Sequence, residues 1–178
     1  MPLTGYDDVY LGNPNLKKAN TRLEFTQEQI LEFVACKNDP VYFAKQHVKI
    51  VSLDEGLVPF KPYDFQEKLI ERFHENRFNI CKMPRQTGKS TTSVSYLLHY
   101  AVFNDNVNIG ILANKAATAR DLLGRLQTAY ENLPKWMQQG IISWNKGSLE
   151  LENGSKILAA STSASAVRGM SFNILFLD

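Results

Sequence analysis

Within eight positions, Met83-Pro84-Arg85-Gln86-Thr87-Gly88-Lys89-Ser90 combine a turn-forming glycine, a lysine, a hydroxyl and an arginine, a set suited to gripping a polyphosphate. Gly88 lets the backbone curl, so that successive N–H groups and the positive end of a following helix converge on phosphate oxygens. Lys89 would reach the β- and γ-phosphates of a nucleotide, and Ser90 would offer its hydroxyl to the Mg²⁺ ion that bridges them. Gln86, Thr87 and Thr91 complete the stretch expected to line the nucleotide. Arg85 is an addition. Its fixed charge can fork onto phosphate oxygens and stabilise charge developing on the γ-phosphate, as an arginine finger supplied in cis; the plain alternative is a solvated loop arginine. The usual pattern, G-x-x-x-x-G-K-[ST], begins with a glycine where this chain has Met83.

The letters Gly-Lys-Ser/Thr arise by chance in roughly one chain in ten of this length, so their surroundings must decide. An apolar run, Phe78 to Lys82, precedes the loop and reads as a strand. After it, Val94, Leu97, Leu98, Ala101 and Val102 recur at spacings of three and four, which predicts an amphipathic helix opening near Gly88. Residues 107–113 predict a strand buried on both faces. Ala119, Leu122, Leu123, Leu126, Tyr130 and Leu133 predict a long helix that Pro134 stops. Residues 148–160 predict a hairpin turning at Asn153-Gly154, and residues 172–178 a last strand ending in Asp178. A carboxylate about 90 residues beyond the loop, at the C-terminal edge of an apolar strand, is the Walker B arrangement: Asp178 would hold a magnesium-bound water. A strand-ending cap is its ordinary alternative.

Upstream, residues 1–24 are polar and aperiodic and are expected to form a mobile arm. Residues 25–62 read as a helical accessory segment. One helix there has Thr26 and Gln29 as capping box, Phe25 and Ile30 as staple, and Ile30, Phe33 and Val34 as apolar face; a second opens at Asp39-Pro40; residues 50–62 are a connector. Asp64 and Glu67 then resemble the cap of a helix carrying Phe65, Leu69, Ile70 and Phe73 and ending near Asn76. The fold class expected is α/β: a P-loop NTPase with a mostly parallel sheet flanked by helices over residues 63–178, after a small helical subdomain.

Composition narrows less. The 178 residues, 44% of them hydrophobic, suffice for a core, and twenty basic against eighteen acidic residues leave +2, no global footprint for nucleic acid. Cys36 and Cys81 show no metal-ligand spacing and read as reduced, structural thiols; His47, His74 and His99 are scattered and read as ordinary helix residues. No apolar stretch approaches the ~20 residues that span a bilayer, and no signal peptide is evident.

The loop with its internal arginine, Gly110-Ile111-Leu112-Ala113, Trp144 to Ser148 leading into Leu151 to Ser155, and Ala166-Val167-Arg168-Gly169 together resemble the large terminase subunit of T-even-like tailed bacteriophages. The likeness is close over residues 60–178 and looser before. It implies an ATPase motor driving double-stranded DNA into a procapsid in the host cytoplasm, docked with other copies on a portal protein, assisted by a small terminase subunit and working at no membrane. It places the family's cis arginine finger on Arg85 and its adenine-contacting glutamine on Gln66, which is otherwise an ordinary exposed helix residue. The family's glutamate after the Walker B aspartate, its coupling motif and its nuclease domain have no counterpart through Asp178. The expectation is therefore a core truncated at the Walker B strand, with exposed apolar edges and weak or no turnover alone. Two competing readings are a helicase-like nucleic-acid ATPase and a nucleotide-binding chain without efficient hydrolysis. Arg168 reads equally as a nucleotide or DNA-phosphate contact and as a solvated loop residue.

Overall fold

A computed structural model describes residues 8–52, 54–162 and 169–178. Val9–Tyr10 (β1) and Asn13–Lys17 (β2) pair antiparallel, followed by helices Gln27–Asn38 (α1) and Pro40–His47 (α2), a second antiparallel pair Lys49–Ser52 (β3) and Gly56–Pro59 (β4), and helix Asp64–Glu75 (α3). The main body then runs through Lys89–Phe103 (α4), Asn108–Ala113 (β5), Ala116–Glu131 (α5), Ile141–Trp144 (β6), Ser148–Leu151 (β7), Lys156–Ser161 (β8) and Ile174–Leu177 (β9). Among the described residues no helix is long and apolar enough to cross a membrane.

The main sheet has the order β6-β7-β8-β5-β9. β8, β5 and β9 are mutually parallel, whereas β6 and β7 add antiparallel to that side. The sheet is therefore mixed, which corrects the expectation of a mostly parallel one. The reason is that the 148–160 hairpin, itself legible in sequence, joins the parallel strands through β8 and so brings its antiparallel partner into the same sheet, and Ile141–Trp144 extends that edge. The hairpin turns at Asn153-Gly154 as expected, with Gly154 at φ +80, in the left-handed region open to glycine.

β5 is buried almost throughout because α5 covers it and strands flank it on both sides. α4 places Val94, Leu97, Leu98, Ala101 and Val102 in the core, at the positions their spacing marked. Phe43 of α2 sits edge-on to Phe103 of α4, and Phe73 of α3 lies against Tyr96, so the upstream helices brace the helix that carries the loop.

Four expectations are corrected upstream and at the loop. Residues 9–17 form a strand pair instead of irregular chain, with Leu16 and Lys17 buried. The connector over 50–62 holds most of the β3–β4 hairpin. The capping box of α1 forms, with Thr26 and Gln29 exchanging both bonds, but Phe25, Ile30 and Val34 are exposed and the buried side chain of α1 is Cys36. Finally, residues 78–82 form no strand: Phe78 is 84% and Ile80 100% exposed. A run of apolar residues becomes a strand only where a ladder partner takes its N–H and C=O groups, and no described strand pairs with this one.

Candidate functional site

The loop is shaped at two backbone positions. Gly88 caps α4 in the left-handed conformation at φ +74, and Gln86 is also at positive φ, +63. Thr87 Oγ1 donates to the Pro84 carbonyl at 3.0 Å, closing the turn on itself. α4 then starts at Lys89, with no acidic residue in its first turn and no side-chain cap on its N–H groups. No side chain therefore caps its first amide donors, and no first-turn carboxylate offsets the positive end of its dipole. Thr92 bonds back to the Gly88 carbonyl through both its amide, at 2.9 Å, and its hydroxyl, at 3.0 Å, fixing the junction.

Gln66 is brought to the loop from α3, 4% exposed. Its Oε1 accepts from the Tyr63 amide at 2.9 Å, capping α3, and its Nε2 donates to the Thr87 carbonyl at 3.0 Å. Tyr63, one residue before the expected cap Asp64, is the N-cap of α3. The side chain of Gln66 lies so close to Gly88 that a Cβ there would come within 2.4 Å of Nε2. Tyr63 and Phe65 stack, with centroids 5.8 Å apart and both rings exposed, on the same turn of chain.

Lys89, Ser90 and Thr91 are half-buried at the start of α4, whereas Arg85 is exposed. Neither Arg85 nor Lys89 forms an ion pair among the described residues. The Lys89 ammonium lies near Cys81, whose thiol is pushed up by burial while that charge pulls the other way. Lys89 and Ser93 also line a cavity of about 480 Å³ between α4, residues 73–81 and β9. Asp178 follows β9; its amide donates to the Leu112 carbonyl at 2.9 Å and its side chain is exposed. Because β9 runs parallel to β5, Asp178 falls at the carboxyl edge of the sheet. The structure therefore joins Gln66, Thr87 and Gly88 directly, sets Lys89 and the end of β9 on one cavity, and gives Asp178 no side-chain bond to Lys89 or Ser90. Arg168 lies outside the described residues, as do Ala166 and Val167.

Two groupings were not read from the sequence. Asn153 donates to the carbonyls of Ala101, at 2.9 Å, and Asn104, at 3.0 Å, and Ser155 Oγ donates to Asn104 at 2.8 Å. The hairpin turn thus caps the C-terminus of α4. The signal available was only the turn itself. His47 does have a partner: its Nε2 is 2.8 Å from Glu32 Oε1, which also lies 3.6 Å from the Cys36 thiol. Glu32 and Cys36, four apart on one helix, were a visible pair; their meeting with His47 required the α1–α2 turn. His99 is buried, its Nε2 2.9 Å from the Cys36 carbonyl, and burial holds its pKa down to about 4.

Residues 80–178 match the family model described as terminase large subunit, T4likevirus-type, N-terminal. The match spans Arg85 to Thr91 and Asp178, and leaves Gln66 outside. The crystal structure of the HK97 bacteriophage large terminase is similar over 80% of this chain, with a TM-score of 0.64 at 18% identity, a likeness of fold. This chain covers 30% of the length of that protein.

Proposed function

The chain belongs to the T4likevirus-type family of terminase large subunits, and from that membership we propose that it is the ATP-binding part of a motor that packages viral DNA. The observation that carries the nucleotide reading is the start of α4: a left-handed Gly88, amide donors that no side chain caps, no acidic residue in the first turn, and Lys89 without an acidic partner. Such a terminus fits a polyphosphate by both shape and charge. Lys89 neutralises the β- and γ-phosphates, the amides from Gln86 through Thr91 hold the chain of oxygens, and Ser90 with Asp178 would hold Mg²⁺. When bound, that ion withdraws charge from the phosphates and fixes their orientation. Arg85 supplies a second positive charge to the γ-phosphate as hydrolysis proceeds. Gln66 keeps the loop in register and presents its remaining amide valences to adenine.

In this reading the partners are double-stranded DNA, a portal protein, a small terminase subunit and further copies of the chain on the portal, in the host cytoplasm. Calorimetric titration of the chain with ATP and Mg²⁺ tests the site. Lys89→Ala should weaken binding by roughly 10- to 100-fold, the value of one charge-assisted contact. Equal affinity in the two proteins would remove Lys89 from the phosphate site and the nucleotide reading with it. Phosphate release by the wild type then separates a working ATPase from a chain that binds without turnover.

A further inference from the structure

Away from the loop, Glu32 and Cys36 on α1 and His47 at the end of α2 bring three ligand atoms within 4.8 Å of one another. We propose that they bind one divalent ion of the zinc class, with water as fourth ligand, clamping α1 to α2. In a tetrahedral zinc site, bonds of ~2.0 to 2.3 Å put ligand atoms ~3.3 to 3.8 Å apart. Cys36 Sγ and Glu32 Oε1 already stand at 3.6 Å, and His47 Nε2 need retreat only slightly from its 2.8 Å.

The donor set decides the class of ion. Thiolate, imidazole and carboxylate together select a borderline-soft metal over Mg²⁺ or Ca²⁺, so the site is chemically distinct from the phosphate loop. The thiolate and carboxylate charges together balance a divalent ion. Glu32 Oε1 is now the shared hydrogen-bond acceptor of both other groups, and the ion would replace the hydrogens in those two contacts. Surrounding groups hold the ligands in place: Tyr42 donates to Glu32 Oε2 at 3.0 Å, and the His47 ring lies edge-on to Trp136. Cys36 is fully buried, while Glu32 and His47 keep side-chain exposures of 30% and 14%, leaving a solvent side for entry and for the water.

The ordinary alternative is a closed hydrogen-bonded cluster, and cobalt distinguishes the two. Titration of the chain with Co²⁺ should produce a thiolate-to-metal charge-transfer band and the visible bands of tetrahedral cobalt, both lost when Zn²⁺ is added. Cys36→Ser should abolish the charge-transfer band and weaken Zn²⁺ binding by at least ~100-fold, more than outer-shell changes cost. His47→Gln, at a partly exposed position, should weaken it similarly with an unchanged circular-dichroism spectrum. Cys81→Ser should keep the band. Zn²⁺ should raise the unfolding midpoint of the wild type and leave that of His47→Gln in place. Absence of the band in the wild type, its persistence in Cys36→Ser, or its loss in Cys81→Ser would each overturn the site.

Discussion

Arg85 and Lys89 are two cations within five residues, neither paired with an acid among the described residues. They differ in position: Lys89 is half-buried at the helix start, and Arg85 is exposed in the turn. A group already held at the phosphates contributes to binding, whereas one that engages as charge develops contributes to rate. Arg85→Ala should therefore leave ATP affinity within about threefold and lower phosphate release by roughly two to four orders of magnitude in a protein that turns over. Unchanged release would return Arg85 to the solvated-loop reading. His99 allows a separate test. Burial, reinforced by the nearby His74 charge and opposed by its bond to the Cys36 carbonyl, depresses its pKa from the usual 6.5 to about 4. The unfolded chain thus takes up a proton below pH 6.5 that the folded chain refuses, and stability is lost as pH falls from 6.5 towards 4. Glu32, whose pKa is lowered first by its bond to His47, and Glu152 add their losses only below the ordinary carboxylate range near 4.5. Denaturant unfolding should show a decline of about 2 to 3 kcal/mol between pH 6.5 and 4.5, and His99→Phe should flatten it. An equally steep decline in that variant would assign the proton elsewhere.

At the scale of the element, α4 is fixed at both ends by other parts of the chain. Gly88 and Gln66 set its start, and Asn153 and Ser155 take the carbonyls at its finish. Its axial position, and so that of Lys89, depends on a hairpin some 50 residues downstream. Gly88→Ala combines a positive φ with a Cβ driven against Gln66 Nε2, and should cost about 1 to 3 kcal/mol in thermal unfolding while weakening nucleotide binding. Gly124 provides the opposite case. It lies inside α5 with nothing within 4 Å of an added Cβ, so Gly124→Ala should stabilise the protein by about 0.5 to 1 kcal/mol. A destabilising Gly124→Ala alongside a neutral Gly88→Ala would refute this account of the two glycines.

For the whole molecule, the sheet is asymmetric. Its β6–β7 side is covered by the first strands of the chain, while β9 ends the other side with Leu175 and Leu177 exposed. The covered side is held by polar bonds. Gln138 accepts from the Lys17 amide and donates towards the Asn15, Tyr130 and Leu133 carbonyls. Glu152 pairs with buried Lys17 at 3.3 Å and accepts from the Asn20 amide at 2.8 Å. Although burial acts to raise it, the bonds from Asn20 and Gly140 and the Lys17 charge keep the Glu152 pKa low. Glu152→Ala would leave the Lys17 ammonium buried without its partner. A loss of about 2 to 3 kcal/mol is expected, below the value for a fully buried pair because Glu152 is partly exposed, with faster proteolysis within residues 8–21. Wild-type stability and protection would show that the amide bonds alone hold this segment.

The sequence by itself determined the parts governed by near neighbours. The Thr26–Gln29 capping box, Pro40 after Asp39, the buried stripe of α4, the span of α5 and the Asn153-Gly154 turn all depend on residues one to four positions apart, and all formed. So did the left-handed Gly88 at the head of α4, because only a glycine enters that conformation without strain. Tertiary structure decided whatever needed a distant partner. Phe78 to Lys82 has the composition of a strand and forms none, since a strand exists only with a ladder neighbour. The sheet is mixed because a hairpin can join either edge of a sheet or neither, and local sequence does not say which. Gln66 is spaced like an exposed helix residue and is buried because the loop folds back over it; His47 meets Glu32 and Cys36 only because α2 turns back on α1. Side-chain spacing along a chain sets local geometry, but which groups meet across space is fixed by the packing that buries them.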